Sequence, residues 1–114
     1  MHKILVYIFL FTSFSTVFAQ TTKKVFFVGN SYMGVNNLPN LIQNVANSTQ
    51  DILTYQAHTP GGSTLQQHAN NQTVINTINQ GDWDYVVLQQ QSQMPAFPIN
   101  HVENNTYNYA AQLS

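Results

Sequence analysis

The sequence predicts an α/β fold in three layers, a parallel sheet with helices on both faces. Two observations predict it. Three short apolar runs with the composition of buried strands alternate with segments whose apolar residues recur at helical spacing. Each of the three runs then ends in a polar segment, and two of these segments carry glycine.

The first strand is expected over Lys24–Val28, a β-branched and aromatic run stopped by Gly29. A loop over Asn30–Asn37 follows. Leu38, Leu41, Ile42, Val45 and Ala46 fall at i, i+3, i+4, i+7 and i+8, which predicts a helix over Pro39–Ser48 with that face inward. Pro39 sits at its start, where the missing N–H costs nothing. The second strand is expected over Ile52–Ala57. Thr59-Pro60-Gly61-Gly62 reads as a turn, and Ser63 or Thr64 can cap a helix over Thr64–Gln80, with Gln66 or Gln67 closing a capping box. Leu65, Ala69, Ile75 and Ile78 give that helix an apolar side. The third strand is expected over Asp84–Leu88, and Gln89–Gln93 leaves it. Asn100–Ser114 begins a further helix, with Val102, Tyr109, Ala110 and Leu113 as core positions.

The chain start is read separately from the fold. Met1-His2-Lys3, the apolar run Ile4–Phe11 and Val17-Phe18-Ala19 follow the order of a secretory signal peptide over residues 1–19, cleaved after Ala19. A secreted or periplasmic location follows. The alternative, a stable membrane anchor, is opposed by the shortness of the run and by Thr12, Ser13, Ser15 and Thr16. Cleavage would leave residues 20–114 as one small domain.

Composition narrows the partners. Charged residues make up 6% of the 114 residues and the net charge is -1, so no clustered basic footprint for nucleic acid and no polybasic membrane patch is present in the sequence. There is no cysteine, hence no disulfide framework. No two histidines have metal-ligand spacing, and neither a metal nor another cofactor is expected. Asn47-Ser48-Thr49, Asn71-Gln72-Thr73 and Asn104-Asn105-Thr106 match the glycosylation sequon, which matters only in a eukaryotic source.

Ligands of parallel sheets bind beyond the carboxyl ends of the strands. The segments leaving those ends are Gly29-Asn30-Ser31, Pro60-Gly61-Gly62-Ser63 and Gln89-Gln90-Gln91-Ser92-Gln93. A serine on a tight glycine-led turn can present its hydroxyl there, as a nucleophile elbow does. The alternative is that Ser31 is only a turn residue. Among possible proton acceptors, His58 ends the second strand as a partly buried residue, His68 falls on the solvated side of the second helix, and His101 follows Pro95–Pro98. Asp82 and Asp84, flanking Trp83, read as a turn and a solvated edge rather than a carboxylate pair.

Val28-Gly29-Asn30-Ser31-Tyr32 resembles the Gly-Asp-Ser signature that opens GDSL-type, or SGNH, serine hydrolases, and the whole run resembles a bacterial SGNH-like branch with Gly-Asn-Ser first and Gln-Ser-Gln third. The resemblance covers about Lys24–Phe97. It implies a flavodoxin-like fold, incomplete in this chain, and an esterase with Ser31 as nucleophile. It also implies an oxyanion hole from the Ser31 N–H, the Gly62 N–H and the Gln93 side-chain amide. The substrate it implies is a small-molecule or carbohydrate ester; oligomeric state is left open. Three departures stand out: Asn30 replaces the signature aspartate, Gln93 the family's asparagine, and Gln91 the glycine of Gly-x-Asn. The family's Asp-x-x-His occurs nowhere, and no aspartate follows Asp84. The expectation is therefore the first half of a hydrolase domain, weakly active or inactive. Its alternative is a non-catalytic binding remnant of the same fold, with glycans as candidate ligands.

Overall fold

The computed structural model describes residues 19–114, so the expected signal peptide lies outside the described residues except for Ala19. The order of elements is β1 (Thr22–Val28), α1 (Ser31–Gly34), α2 (Leu38–Asn47), β2 (Ile52–His58), α3 (Leu65–Ala69), α4 (Gln72–Ile78) and β3 (Tyr85–Leu88). A 3₁₀ turn (Met94–Ala96) leads into a last helical stretch. That stretch is α5 (Ile99–Val102), a π-helical turn (Glu103–Tyr107) and α6 (Asn108–Gln112). The three strands form one parallel sheet in the order β2-β1-β3, which makes this the expected α/β fold.

β1 is the middle strand, and its alternation sorts the core into two. Phe26 and Val28 face Leu65, Val74 and Leu113, brought by α3, α4 and the end of the last helix. Val25 and Phe27 face Met33 of α1, with Leu53 and Tyr55 beside them. A strand covered on both faces can be apolar at every position, which is why Val25–Val28 carries no alternation in the sequence. Val102, Tyr109, Ala110 and Leu113 are buried or packed against the core as expected.

Two helices differ from expectation. The helix expected over Thr64–Gln80 is broken at Asn70-Asn71. The expected capping box does open α3: Thr64 Oγ1 accepts from Gln67 N at 3.2 Å, and Gln67 Oε1 accepts from Thr64 N at 2.9 Å. Asn71 then caps a second start, its Oδ1 accepting from Thr73 N and Val74 N at 2.9 and 3.3 Å. An asparagine that can satisfy two free N–H groups makes a restart cheap.

The other difference is the rotation of α2. Leu38, Leu41, Ile42 and Val45, the face expected inward, are exposed, whereas Pro39 is buried and Gln43 and Ala46 are partly so. The cause is the free edge of β2. Ile52 N donates to Thr21 O on the β1 side, so Leu53 N and O point the other way. Gln43 Nε2 donates to Leu53 O at 2.8 Å and Asn47 Oδ1 accepts from Leu53 N at 2.9 Å. Spaced i, i+4, the two amides lie on one face of α2 and cover an edge that would otherwise offer bare backbone.

Lys23, Lys24, Asp51, Asp82 and Asp84 gather at the amino ends of the strands. Lys24 pairs with Asp82 and lies 4.5 Å from the Trp83 ring centre, Lys23 pairs with Asp84 at 3.5 Å, and Asp84 Oδ2 accepts from Lys24 N at 2.7 Å. The two aspartates thus act as partners of lysine at a solvated edge. Trp83 stacks on Phe26 at 5.3 Å and donates Nε1–H to Thr77 O at 2.7 Å, tying that edge to the core.

Leu65, 2% exposed at the centre of the larger core cluster, measures this packing. Leu65→Ala is expected to cost about 2–5 kcal/mol in denaturant unfolding, through lost transfer energy and a cavity. A cost below about 1 kcal/mol would show that α3 is not packed as described.

Candidate functional site

The three strands end level. Val28 is in register with His58 on one side and Leu88 on the other, so the segments carrying Ser31, Gly62 and Gln93 all leave the same edge of the sheet. Ser31 is the first residue of α1, where a loop was expected, and it is partly buried. With Tyr32, Val35 and Asn36 it lines a shallow depression of about 270 Å³. Gly62 is exposed with φ of +71°, a conformation that favours glycine, and open space lies where a Cβ would be. Among the described residues its N–H has no hydrogen-bond partner.

Asn30 links these segments. It is 2% exposed, and every polar atom of its side chain is used. Oδ1 accepts from Tyr32 N at 3.0 Å and from Gln89 Nε2 at 2.9 Å, while Nδ2 donates to Ser63 O at 3.3 Å. Gln89 Oε1 accepts in return from Asn30 N at 3.0 Å. One side chain thus caps the turn bearing Ser31, holds the loop next to Gly62 and fastens the exit of β3. Gly29 makes room for it: a Cβ there would lie 2.5 Å from Gln89 Oε1.

The glutamines after β3 divide into structural and exposed ones. Gln90 Oε1 accepts from Leu65 N at 3.1 Å, and its Nε2 donates to Asn105 O at 2.9 Å and Thr106 Oγ1 at 3.1 Å. It satisfies a free N–H at the start of α3 and joins it to the π-helical turn. Gln91 Oε1 accepts from Gln93 N at 2.8 Å. Gln93 itself is exposed, and among the described residues its side chain has no hydrogen-bond partner. It shares the sheet edge with Ser31 and Gly62 but is not held in place. Sequence reasoning missed Gln89 and Gln90. Their signal is position: polar residues that directly continue a strand from the core must find partners.

None of His58, His68 and His101 is hydrogen-bonded to Ser31. His68, expected on a solvated face, is 1% exposed, a correction that follows from its Nε2 lying 2.8 Å from Gly29 O, to which it donates. Its burial lowers the pKa below the ordinary value, the Gly29 bond opposes this, and nearby His58 adds to it. The His58 and His68 rings meet edge to face at 5.5 Å. Since Asn71 Oδ1 caps α4, its Nδ2 is the atom facing His58 Nε2, at 3.4 Å, and Nε2 is the acceptor. His101 packs against Phe97 with ring centres 4.7 Å apart, its Nε2 buried without a hydrogen-bond partner among the described residues.

No group of three or more His, Asp or Glu that could hold a metal ion occurs among the described residues, and no helix among them is long and apolar enough to cross a membrane. No family model, curated protein or solved structure matches the chain.

Two outcomes test this arrangement. Gly29→Ala should destabilise by about 1–3 kcal/mol by displacing Gln89, and should cost less in a Gln89→Ala background. Additive effects of the pair in denaturant unfolding would show that the contact is not what constrains Gly29. For His68, the folded state holds fewer protons than the unfolded one, so stability rises with pH. Its contribution is full above the unfolded value near 6.5 and is lost as pH falls below it. The melting temperature should therefore drop between pH 7.5 and 5, within the range where histidine titrates, and His68→Gln should flatten that drop. An unchanged pH profile in the variant would exclude His68 as its source.

Proposed function

We propose that the chain is the nucleophile-bearing part of an SGNH-like serine ester hydrolase, exported from the cell. The observation that carries the reading is the Asn30 side chain, which ties the Ser31 turn to the Gly62 loop at the edge where all three strands end. On this reading Ser31 Oγ attacks the acyl carbonyl of a small-molecule or carbohydrate ester. The Ser31 and Gly62 N–H groups hold the oxyanion, with the exposed Gln93 amide as a third donor that must swing in. The alcohol leaves, and water then releases the acid from the acyl-serine.

Ser31 Oγ makes no hydrogen bond to a histidine or carboxylate among the described residues. His58 Nε2 is used by Asn71, His68 Nε2 carries the proton given to Gly29 O, and His101 is packed on Phe97. General-base assistance is typically worth about 10²–10⁴-fold, so turnover by this chain is expected to be slow by that factor. The same engagement of the histidines favours a second reading, a non-catalytic module that binds a neutral ligand such as a glycan at this edge.

The protein and its Ser31→Ala variant should be compared on an activated acetyl ester. Slow hydrolysis that falls to the uncatalysed rate in Ser31→Ala is expected. Equal rates from both proteins would remove Ser31 as nucleophile and leave the binding reading.

A further inference from the structure

Six of the large apolar side chains left in water belong to one stretch. Tyr32, Val35, Leu38, Leu41, Ile42 and Val45 are 71%, 78%, 40%, 50%, 37% and 69% exposed. Four of them, Leu38, Leu41, Ile42 and Val45, fall at i, i+3, i+4 and i+7 on α2 and form a stripe along one side of the helix, with Tyr32 and Val35 just before it in the chain. The helix cannot roll this stripe onto the sheet, because Gln43 and Asn47 on its other side hold the edge of β2. We propose that the stripe is a self-association surface, and that a second copy of this chain covers it by packing its own α2 across a two-fold axis.

Three features select a second copy. The six side chains together leave on the order of 600 Å² in water on each chain, so their complete cover by two copies would bury roughly 1,200 Å², the lower bound of specific interfaces. No charged residue occurs from Val25 to Gln50. Around a two-fold axis each residue meets its own neighbourhood, so any charge in the patch would face its like, and this patch has none. The i, i+3, i+4, i+7 spacing is also the seam by which helices pack in pairs. A helix seated on a lipid surface instead carries Lys or Arg on its flanks, and α2 carries neither. Tyr32 and Val35 line the depression at Ser31 as well, so the second copy borders the candidate site.

Sedimentation equilibrium of the purified protein should show a concentration-dependent dimer. Leu41→Glu with Val45→Glu should shift it to monomer, with the circular dichroism spectrum unchanged. The chain has no cysteine, so a milder variant reads the geometry directly. Leu41→Cys should form a disulfide-linked dimer on mild oxidation, whereas Gln80→Cys, exposed beyond the end of α4, should not. A monomer at every concentration, a dimer indifferent to the glutamates, or equal cross-linking from both cysteines would each overturn the proposal. So would binding to neutral lipid vesicles by a protein that stays monomeric without them.

Discussion

The buried amide of Asn30 is the constraint on which the upper edge of the sheet depends. A side-chain amide with a donor nitrogen and a carbonyl oxygen loses its water when the chain leaves β1, and both atoms must find partners in the protein. They find them in three directions: its own turn, the loop before α3, and the first residue after β3. Met33 packs the Ser31 turn on the core and Leu65 anchors the start of α3, and the Asn30 side chain joins these segments to the exit of β3. His68 repeats the device from below, its imidazole donating to the carbonyl of the preceding residue, Gly29. The turn that presents Ser31 is therefore held by polar contacts on both sides, whereas the turn itself is only four residues of helix.

How much of this was legible in the sequence follows from how local each cause is. β1 was legible because burial on both faces writes itself as an unbroken apolar run, Val25–Val28, whereas Tyr85–Leu88 has the same β-branched and aromatic composition with Tyr85 and Val87 exposed. The capping box at Thr64 was legible because both of its bonds lie within four residues. The rotation of α2 was not: Gln43 and Asn47 are ordinary helix-surface residues until β2 is known to be an edge strand. His68 was misjudged for the same reason. A histidine beside glutamines on a short helix looks solvated, and only its partner 39 positions earlier in the chain makes it a core residue. Ser31, Gly62 and Gln93 were brought to one edge as the strand order implied, but the residue that holds two of the three segments together, Gln89, had been read only as part of a polar exit.

The two sheet edges are treated differently, and the contrast explains where apolar surface remains. At β2 the amides of α2 satisfy the backbone, and the helix gives up the burial of its own apolar face to do so. A single edge residue gains two hydrogen bonds, each worth about 0.5–1.5 kcal/mol net. The uncovered stripe loses more than that, since burying one leucine alone is worth about 1.5–3 kcal/mol. An intermolecular contact of the kind proposed would recover this burial without disturbing the edge. At β3 no such helix stands among the described residues, and Tyr85 and Val87 are exposed beside its open side.

The presence of an asparagine rather than an aspartate at position 30 is intelligible in these terms. Three bonds converge on this side chain, and one of them, to Ser63 O, needs a donor. An ionised carboxylate has none, and would set a buried negative charge against a carbonyl oxygen with no cation near, because the lysines lie at the opposite end of the strands. An amide meets all three demands without charge. Gln89 pairs with it reciprocally, its own amide donating to Oδ1 and accepting from the backbone N–H; an aspartate at 30 could keep both of these bonds and would lose only the donor to Ser63 O. The pair Asn30 and Gln89 thus does with two neutral amides what a carboxylate would do only with added donors. The region around Ser31 stays uncharged as a result, which suits an uncharged ester or glycan better than an anionic ligand.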